Sequence, residues 1–386
     1  MSVKSWKYRL YPYKAQQKVL DQYLHECKNL WNSLLEYTKT CYEETANFPT
    51  RKELYLKAKE MPLFSQVAQN VADRLSKSLG GMLARKRAGR NAGFPRFKSI
   101  DRVKSFTYPQ FGFRLSECLE LSGIGSIAIK KHREMVGRIK TLTIKKTPSG
   151  KWFAVFTSEI EKTIIPKNPR PIAGVDLGIE HFAYLSDGAV IENPRHLKRA
   201  EKKLKRRQRQ LSGKLKGSKN RRKARLRVAV TYEKLTNRRR DNLHKISRLL
   251  IDRYSFIAME NLNVLDMSRG FLAKSVLDCS WAEFSDMLRY KAEEAGCEVV
   301  FVDPAHTTSG CSNCGLVQKK SLAVRWHSCP CGASMPRDLN AAINILNRAT
   351  SGTEGCQACG EEASIRYKHN GQVSSVKQEA HDFSRG

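Results

Sequence analysis

The sequence lacks any apolar run that approaches the roughly 18 residues of a membrane-spanning helix. Its first residues, MSVKSWKYRLYPYKAQQ, also lack the apolar core and the small-residue cleavage site of a secretory signal. The first absence argues against an integral membrane protein, and the second predicts a protein that stays in the cytoplasm. No isolated amphipathic anchor is evident, which leaves a basic membrane-surface protein as the weaker alternative.

Acidic residues are scarce, since 37 Asp and Glu face 70 Lys and Arg and leave a formal charge of +33. Such a charge opposes compaction unless a polyanion neutralises it, so nucleic acid is the expected partner. Residues 195–250 alone hold 23 Lys or Arg and three acids, a net charge of +20. A thin stripe of leucines there predicts two long basic helices that contact nucleic acid, with a merely solvated charged hairpin as the alternative.

A disulfide framework is not expected, because the cysteines are unevenly spread along a chain that should stay in a reducing compartment. Five of the eleven are scattered singly and the other six lie between Cys311 and Cys359. Two knuckles, CSNCG and CPCG, offer four thiolates that predict one structural zinc ion, namely Cys311, Cys314, Cys329 and Cys331. His327 is an alternative fourth ligand because the second knuckle is one residue short. Cys356 and Cys359 are interpreted as an incidental pair.

The length of 386 residues favours two or three domains. Alternating residues at 6–12 and 104–161 predict strands, and a three- and four-residue apolar period over 15–87 predicts a helical bundle broken at Pro49 and Pro62. The sequence GIGSIA resembles a dinucleotide-binding loop but leads into a strand pattern, so it is discounted. A long helix is predicted before the strand CEVVFVDP, and another is predicted at MPRDLNAAINILNRA with Pro336 in its first turn.

Three acids stand beside apolar residues: Asp176 lies inside the apolar strand IAGVDLGI, Glu260 ends the strand FIAMENL, and Asp338 opens the helix RDLNAAINIL. A carboxylate beside a buried strand is costly unless it is paired or metal-bound. Carboxylates gathered at the ends of sheet strands can hold two divalent ions about 3.5–4 Å apart for phosphodiester cleavage. Taken singly, each acid could equally be structural.

The chain resembles TnpB, the RNA-guided nuclease of bacterial insertion sequences. The resemblance is carried by several motifs taken together: GVDLGI with LSDG, the basic hairpin, MENLNV, the CxxCG knuckle and RDLNAAINI. The phrases RLYPYKAQQ and SGKWFAVF and the tail beginning GTEG are similar to that family as well. The resemblance implies a RuvC-type nuclease related to type V CRISPR effectors, with Asp176, Glu260 and Asp338 as its Mg²⁺-binding catalytic triad. Asn340 would support the last acid. Family members often have AspArgAsp where this chain has Pro336, Arg337 and Asp338.

The implied fold is multidomain α/β with a β-barrel and a helical bundle, around an RNase H-like (RuvC) core with an inserted zinc ribbon. The segments implied by this fold are a wedge-like barrel at 1–14 and 95–168, a recognition bundle at 15–94, the nuclease core at 169–305 with the basic hairpin 195–250, the zinc ribbon at 306–334, a final helix at 335–350 and a disordered tail at 351–386. Seven arginines of the hairpin are the candidate nucleic-acid contacts: Arg206, Arg207, Arg221, Arg222, Arg238, Arg239 and Arg240.

The function implied by the resemblance is an RNA-guided, Mg²⁺-dependent DNA endonuclease of a bacterial transposon that cleaves beside a short adjacent motif. Its partners would be two Mg²⁺ ions, one Zn²⁺, a transposon-derived guide RNA and double-stranded target DNA at the nucleoid. A nuclease-dead RNA-guided repressor is one alternative, although all three acids are present. A DNA transposase that uses the same fold for strand transfer is the other.

Overall fold

The computed structural model describes residues 2–161, 170–321 and 323–354. They divide into two compact units, the first within Met1–Thr163 and Leu204–Glu233 and the second within Ile164–Lys203 and Lys234–Gly386. The division passes through both basic helices, so the hairpin assigned from sequence to one domain is shared between the units. Among the described helices, none is long and apolar enough to cross a membrane.

The first unit contains a seven-stranded antiparallel sheet, in the order β2-β6-β7-β1-β5-β4-β3. Its strands are β1 (Ser2–Leu10), β2 (Ser105–Tyr108), β3 (Phe113–Leu115), β4 (Cys118–Leu121), β5 (Gly125–Lys130), β6 (Arg138–Lys146) and β7 (Trp152–Ile160). The sheet is nearly closed, since the rings of Tyr108 on one edge strand and Phe113 on the other lie 6.3 Å apart. GIGSIA leads into β5, as its strand pattern predicted.

Three helices share a hydrophobic core with this sheet: α1 (Lys14–Thr45), α2 (Arg51–Ala58) and α3 (Ser65–Arg87). The predicted bundle is therefore confirmed, and its breaks fall near Pro49 and Pro62 as expected. Thr50 caps α2 by accepting from the backbone N–H of Glu53, whose carboxylate in turn accepts from the N–H of Thr50. This reciprocal pair fixes where the chain re-enters a helix after the first break.

The second unit contains a mixed five-stranded sheet, in the order β10-β9-β8-β11-β12. The strands are β8 (Ile172–Leu177), β9 (His181–Leu185), β10 (Val190–Glu192), β11 (Phe256–Glu260) and β12 (Glu298–Val302). Strands β8, β11 and β12 run parallel to one another, whereas β9 is antiparallel to both β8 and β10. A small antiparallel pair, β13 (Trp326–Ser328) and β14 (Ser334–Pro336), belongs to the cysteine-rich segment.

The helices outside the bundle are α4 (His196–Ser212), α5 (Lys219–Arg253), α6 (Val264–Met267), α7 (Ala273–Cys279), α8 (Trp281–Ala295) and α9 (Arg337–Glu354). The two predicted basic helices, α4 and α5, are confirmed. The prediction of one helix before β12 was wrong, because Ser280 adopts a left-handed conformation (φ 55°) that separates α7 from α8.

Helix α9 begins at Arg337, two residues after the predicted start at Met335, because Pro336 pairs with Trp326 in the small sheet instead of entering the first turn. The helix continues to Glu354, four residues into the segment 351–386 expected to be a disordered tail. The rest of that segment, including Cys356 and Cys359, lies outside the described residues.

Candidate functional site

Two of the three predicted acids stand at matching positions on adjacent parallel strands. Val175 of β8 pairs with Met259 of β11, and the next residues along the two strands are Asp176 and Glu260. Apolar residues fill both strands and drive their burial, so the acids are carried to the same edge of the sheet. The carboxyl ends of parallel strands are where α/β sheets bind their ligands.

The third acid, Asp338, lies in the first turn of α9, which packs across β8 and β11. Gly174 permits this close packing, since a Cβ built there would lie 2.0 Å from the carbonyl oxygen of Ala342. Any side chain at this position would push the helix away from the strand that carries Asp176. The structure therefore brings Asp176, Glu260 and Asp338 to one region of the second unit.

The electrostatics of this region favour a bound cation. Burial, reinforced by the carboxylates of Glu260 and Asp338, raises the pKa of Asp176 to about 8, although Arg337 opposes the shift. Burial also raises the pKa of Glu260, against the lowering effects of the Thr307 hydroxyl and of Arg348. Negative charge held this closely and out of water is stabilised either by protons or by a metal ion.

Several supporting residues were missed by the sequence analysis. The Thr307 hydroxyl donates to Oε1 of Glu260, and the guanidinium of Arg337, which lowers the pKa of Asp176, donates to the carbonyl of Ser321 at 2.9 Å. Thr307 lies 47 residues from Glu260 along the chain, in a segment without periodic pattern. Of these two residues, only Arg337 could have been found from the sequence, because it is adjacent to Asp338.

Asn340 was expected to support Asp338, and the structure gives it a different role. Its amide, which is fully buried, donates to the carbonyl of Gly310 at 2.7 Å and accepts from the backbone N–H of Ser312 at 2.9 Å. Both partners flank Cys311. Asn340 therefore holds the first cysteine knuckle against α9.

The four predicted zinc ligands form one compact group, in which all the sulfur atoms lie within 4.8 Å of one another. The Sγ atoms of Cys311 and Cys331 are 3.7 Å apart, and those of Cys314 and Cys329 are 3.5 Å apart. This spacing fits the thiolates of a tetrahedral zinc site. The three carboxylates described above are not gathered into a cluster as compact as this one.

Each knuckle is closed by a glycine with positive φ, 76° at Gly315 and 90° at Gly332, whose N–H donates to the carbonyl of the knuckle's first cysteine. The shortened second knuckle therefore forms a turn comparable to that of the first. The backbone N–H of Ala333 and the amide of Asn313 lower the pKa of Cys331 to about 6, which favours the metal-binding thiolate.

His327 lies in β13 and is not a member of the sulfur cluster. Its imidazole is fully buried, with Nδ1 2.6 Å from Nζ of Lys320. Burial and this lysine lower the pKa of the imidazole, so its neutral form accepts from the ammonium group. The arrangement favours four cysteines over the alternative ligand set.

The structure separates the seven candidate arginines of the basic helices into two groups. The guanidinium groups of four of them are held by protein atoms: Arg207 by Thr231 and the carbonyl of Arg227, Arg221 by the carbonyls of Leu211 and Lys214, Arg239 by Asp278 and Ser280, and Arg240 by Glu283. The other three, Arg206, Arg222 and Arg238, are exposed. The exposed group is the better candidate for contacts with phosphate groups.

Three family models match the chain. A model described as "Probable transposase" (OrfB, IS605) matches residues 156–270, and one described as a Cas12f1-like TNB domain matches residues 281–345. The third, described as "Helix-turn-helix domain", matches residues 1–47. In this structure those residues form the strand β1 and the single helix α1, with no second helix among residues 2–47.

Curated proteins match over most of the chain. A Streptomyces pristinaespiralis protein named "Putative RNA-guided DNA endonuclease" is 31% identical over 99% of this chain and 98% of its own length. InsQ of Escherichia coli K12, which carries the same description, is 31% identical over 70% of this chain and 71% of its own length.

Among solved structures, a Cas12f1 bound to sgRNA and target DNA superposes with a TM-score of 0.59. It has 14% sequence identity and covers 87% of this chain and 84% of the solved chain. The two proteins therefore share a fold.

Proposed function

Because this chain belongs to the TnpB family, we propose that it is an RNA-guided, Mg²⁺-dependent DNA endonuclease that cuts beside a short adjacent motif. The observation that carries the proposal is the convergence of Asp176, Glu260 and Asp338 in the second unit, where burial and mutual repulsion raise the pKa of Asp176. A relative matched over almost its whole length is named an RNA-guided DNA endonuclease.

The three carboxylates are the residues that would hold two Mg²⁺ ions, and their fit rests on the excess of buried negative charge. Bound Mg²⁺ supplies an activated water and stabilises the leaving oxygen of the phosphodiester. The positive charge of Arg337 lowers the pKa of Asp176, and the Thr307 hydroxyl donates to Oε1 of Glu260. Asp338 approaches from α9, so that the ligands come from two strands of the hydrophobic core and from a helix that packs on both of them.

One Zn²⁺ would bind Cys311, Cys314, Cys329 and Cys331 as a structural ion. The sulfur spacing and the lowered pKa of Cys331 both fit this assignment. All four positions are filled by protein ligands, which is typical of structural rather than catalytic zinc. The segment 306–334 would then be a zinc ribbon inserted into the nuclease core.

A guide RNA and double-stranded target DNA are the proposed partners. The charge of +33 and the exposed arginines of α4 and α5 suit a polyanion. In the same scheme residues 169–305 and 335–350 form an RNase H-like core, 1–14 and 95–168 a wedge-like barrel, and 15–94 a recognition bundle. The parallel strands β8, β11 and β12 and the antiparallel strands β9 and β10 support the first of these assignments.

The test is to express the gene with its flanking DNA, purify the protein and sequence the RNA that accompanies it. We expect one RNA of defined sequence, and we expect the purified complex with Mg²⁺ to cut a DNA that matches the RNA's variable end. A DNA with that segment scrambled should stay intact. Cutting that ignores the RNA sequence, or protein that carries no defined RNA, would contradict the proposal.

A DNA transposase is the second candidate, favoured by the description of the family model that matches residues 156–270. It predicts joined strand-transfer products when transposon-end DNA and target DNA are mixed. The endonuclease predicts broken target DNA without joining, so the products on a sequencing gel separate the two functions.

A further inference from the structure

We propose that Thr307 is the positioning residue for Glu260, fixing one carboxylate oxygen so that the other is presented to metal. This inference rests on the proposed function, and it assigns a role to a side chain outside the three acids. The Thr307 hydroxyl donates to Oε1 of Glu260 from a residue that is 1% exposed.

Glu260 needs such a partner more than the other two acids do. Its carboxylate is one bond further from the backbone than that of an aspartate, so it has more rotamer freedom to lose when it binds a metal. Glu260 is also the last residue of its strand. A hydrogen bond from a rigid donor therefore selects one orientation before any ion arrives.

Thr307 is itself well fixed. It is β-branched, which restricts its own χ1 rotation. Its backbone carbonyl accepts from the side-chain amide of Asn344 at 2.8 Å, and the same amide donates to the carbonyl of Gly310. The hydroxyl also lies 3.0 Å from the carbonyl of Pro304, a contact within the same turn. The Thr307 hydroxyl therefore cannot move away from the Glu260 carboxylate unless the whole turn around Thr307 moves.

One face of α9 anchors that segment. Asn340, Asn344 and Arg348 are spaced by four residues and therefore lie on the same face of the helix. Asn340 and Asn344 both donate to Gly310, and Arg348 donates to the carbonyl of Asp303 at 3.0 Å. The helix that carries Asp338 thus holds the turn that carries Thr307, which ties the orientation of Glu260 to the position of Asp338.

The hydroxyl also favours the charged form of Glu260. A donor that faces a carboxylate stabilises the ionised state, and here it opposes the effect of burial. Loss of the hydroxyl should weaken metal binding, because the Glu260 side chain would then be free to adopt other rotamers.

The experiment compares Thr307→Val, which keeps the shape and removes the hydroxyl, with Thr307→Ser, which restores it. In Mg²⁺ titrations of cleavage by the purified RNA complex, we expect Thr307→Val to need about 10- to 100-fold more Mg²⁺ or to cut that much more slowly. Thr307→Ser should regain most of the loss. The matched control is Thr38→Val, another fully buried threonine, whose hydroxyl donates to the carbonyl of Leu34 in α1.

A readout without cleavage separates this inference from the proposed function. Mn²⁺ binding, followed by the loss of its free-ion electron paramagnetic resonance signal, should weaken in Thr307→Val, with Glu260→Gln as the reference for a lost ligand. Wild-type Mn²⁺ binding by Thr307→Val, or a Thr307→Ser variant as defective as Thr307→Val, would overturn the role of the hydroxyl. Mn²⁺ binding by wild-type protein that never cuts guided DNA would instead contradict the proposed function.

Discussion

Asp176 and Glu260 follow directly after Val175 and Met259, which pair on two adjacent parallel strands. Two acids at matching positions of neighbouring strands are costly for folding, since burial raises the pKa values of both, and the carboxylates of Glu260 and Asp338 raise that of Asp176 further. The folded state tolerates this arrangement only when cations or protons neutralise the two carboxylates.

The first prediction concerns pH and Mg²⁺. The raised pKa of Asp176, about 8, means that the folded metal-free protein keeps a proton that the unfolded chain loses above roughly pH 4. The proton bound to Asp176 therefore stabilises the folded state at low pH, and this stabilisation is lost as the pH rises toward 8. We expect Mg²⁺ to raise the melting temperature more at pH 8 than at pH 6, because the ion replaces the proton.

Thermal unfolding with and without Mg²⁺ across that pH range measures the effect. Asp176→Asn cannot lose a proton, and it should flatten the metal-free pH dependence relative to wild type. Identical pH profiles for the two proteins would show that Asp176 does not hold the proton.

The second prediction concerns zinc. Purified protein should contain about one equivalent of Zn²⁺, and Cys311→Ser should lower both the zinc content and the melting temperature, because bound zinc supplies folding free energy to so small a module. Elemental analysis and thermal unfolding provide the two measurements. Cys118→Ser, which changes a partly exposed cysteine of β4, is the control and should keep full zinc content. Folded, zinc-free wild-type protein would exclude the site.

The third prediction concerns the exposed arginines of α4 and α5. Replacing Arg206, Arg222 and Arg238 with Glu should weaken nucleic-acid binding for all sequences, since phosphate contacts add affinity without selecting bases. Each lost contact should flatten the slope of log affinity against log salt by roughly 0.7 to 0.9. Filter binding across a salt series measures the slope.

The comparison variant for this test is Arg240→Glu, which breaks the ion pair with Glu283 in the same unit. It should lower thermal stability more than the exposed substitutions do. An unchanged salt slope in the triple variant, or loss of binding for one sequence only, would contradict contacts between these arginines and the phosphate groups of the nucleic acid.

The fourth prediction concerns the packing of α9 on β8. Gly174→Ala should destabilise the protein by at least about 1–3 kcal/mol, because the added methyl group meets the backbone of Ala342. Cleavage should fall as well, since Asp338 moves with the helix. Gly80→Ala in α3 is the control, because nothing lies within 4 Å of its added Cβ, and alanine favours helix there. The free energies of unfolding of both variants, measured by chemical unfolding, distinguish the clash at position 174 from a general effect of replacing glycine with alanine.

The sequence predicted the elements that local patterns determine. An acid inside an apolar strand, Asp176, another at the end of one, Glu260, and two cysteine knuckles around Cys311 and Cys331 are visible without a structure. The alternation in β1 and the period of α1 to α3 follow from burial of one face of each element. The basic helices followed from the leucine stripe.

Features that depend on distant partners could not be predicted. Thr307 reaches Glu260 across 47 residues, and Arg240 finds Glu283 on another helix, so neither contact leaves a local signal. The left-handed conformation of Ser280, which separates α7 from α8, was not predicted from the sequence either. Asn340 lies two residues after the expected acid in sequence, yet its amide bonds to the cysteine knuckle, at the carbonyl of Gly310 and the N–H of Ser312.

The proposed function assigns to Asp176, Glu260 and Asp338 the Mg²⁺-dependent cleavage of a DNA strand chosen by a bound RNA. Its most direct test is single-turnover cleavage of a matched duplex by the purified RNA complex in Mg²⁺, with Asp176→Asn, Glu260→Gln and Asp338→Asn measured beside wild type. Each substitution should reduce cleavage to background while affinity for the matched duplex stays near that of wild type, because each removes a metal ligand and no contact with the nucleic-acid backbone. Wild-type cleavage by any one of the three variants would contradict this assignment.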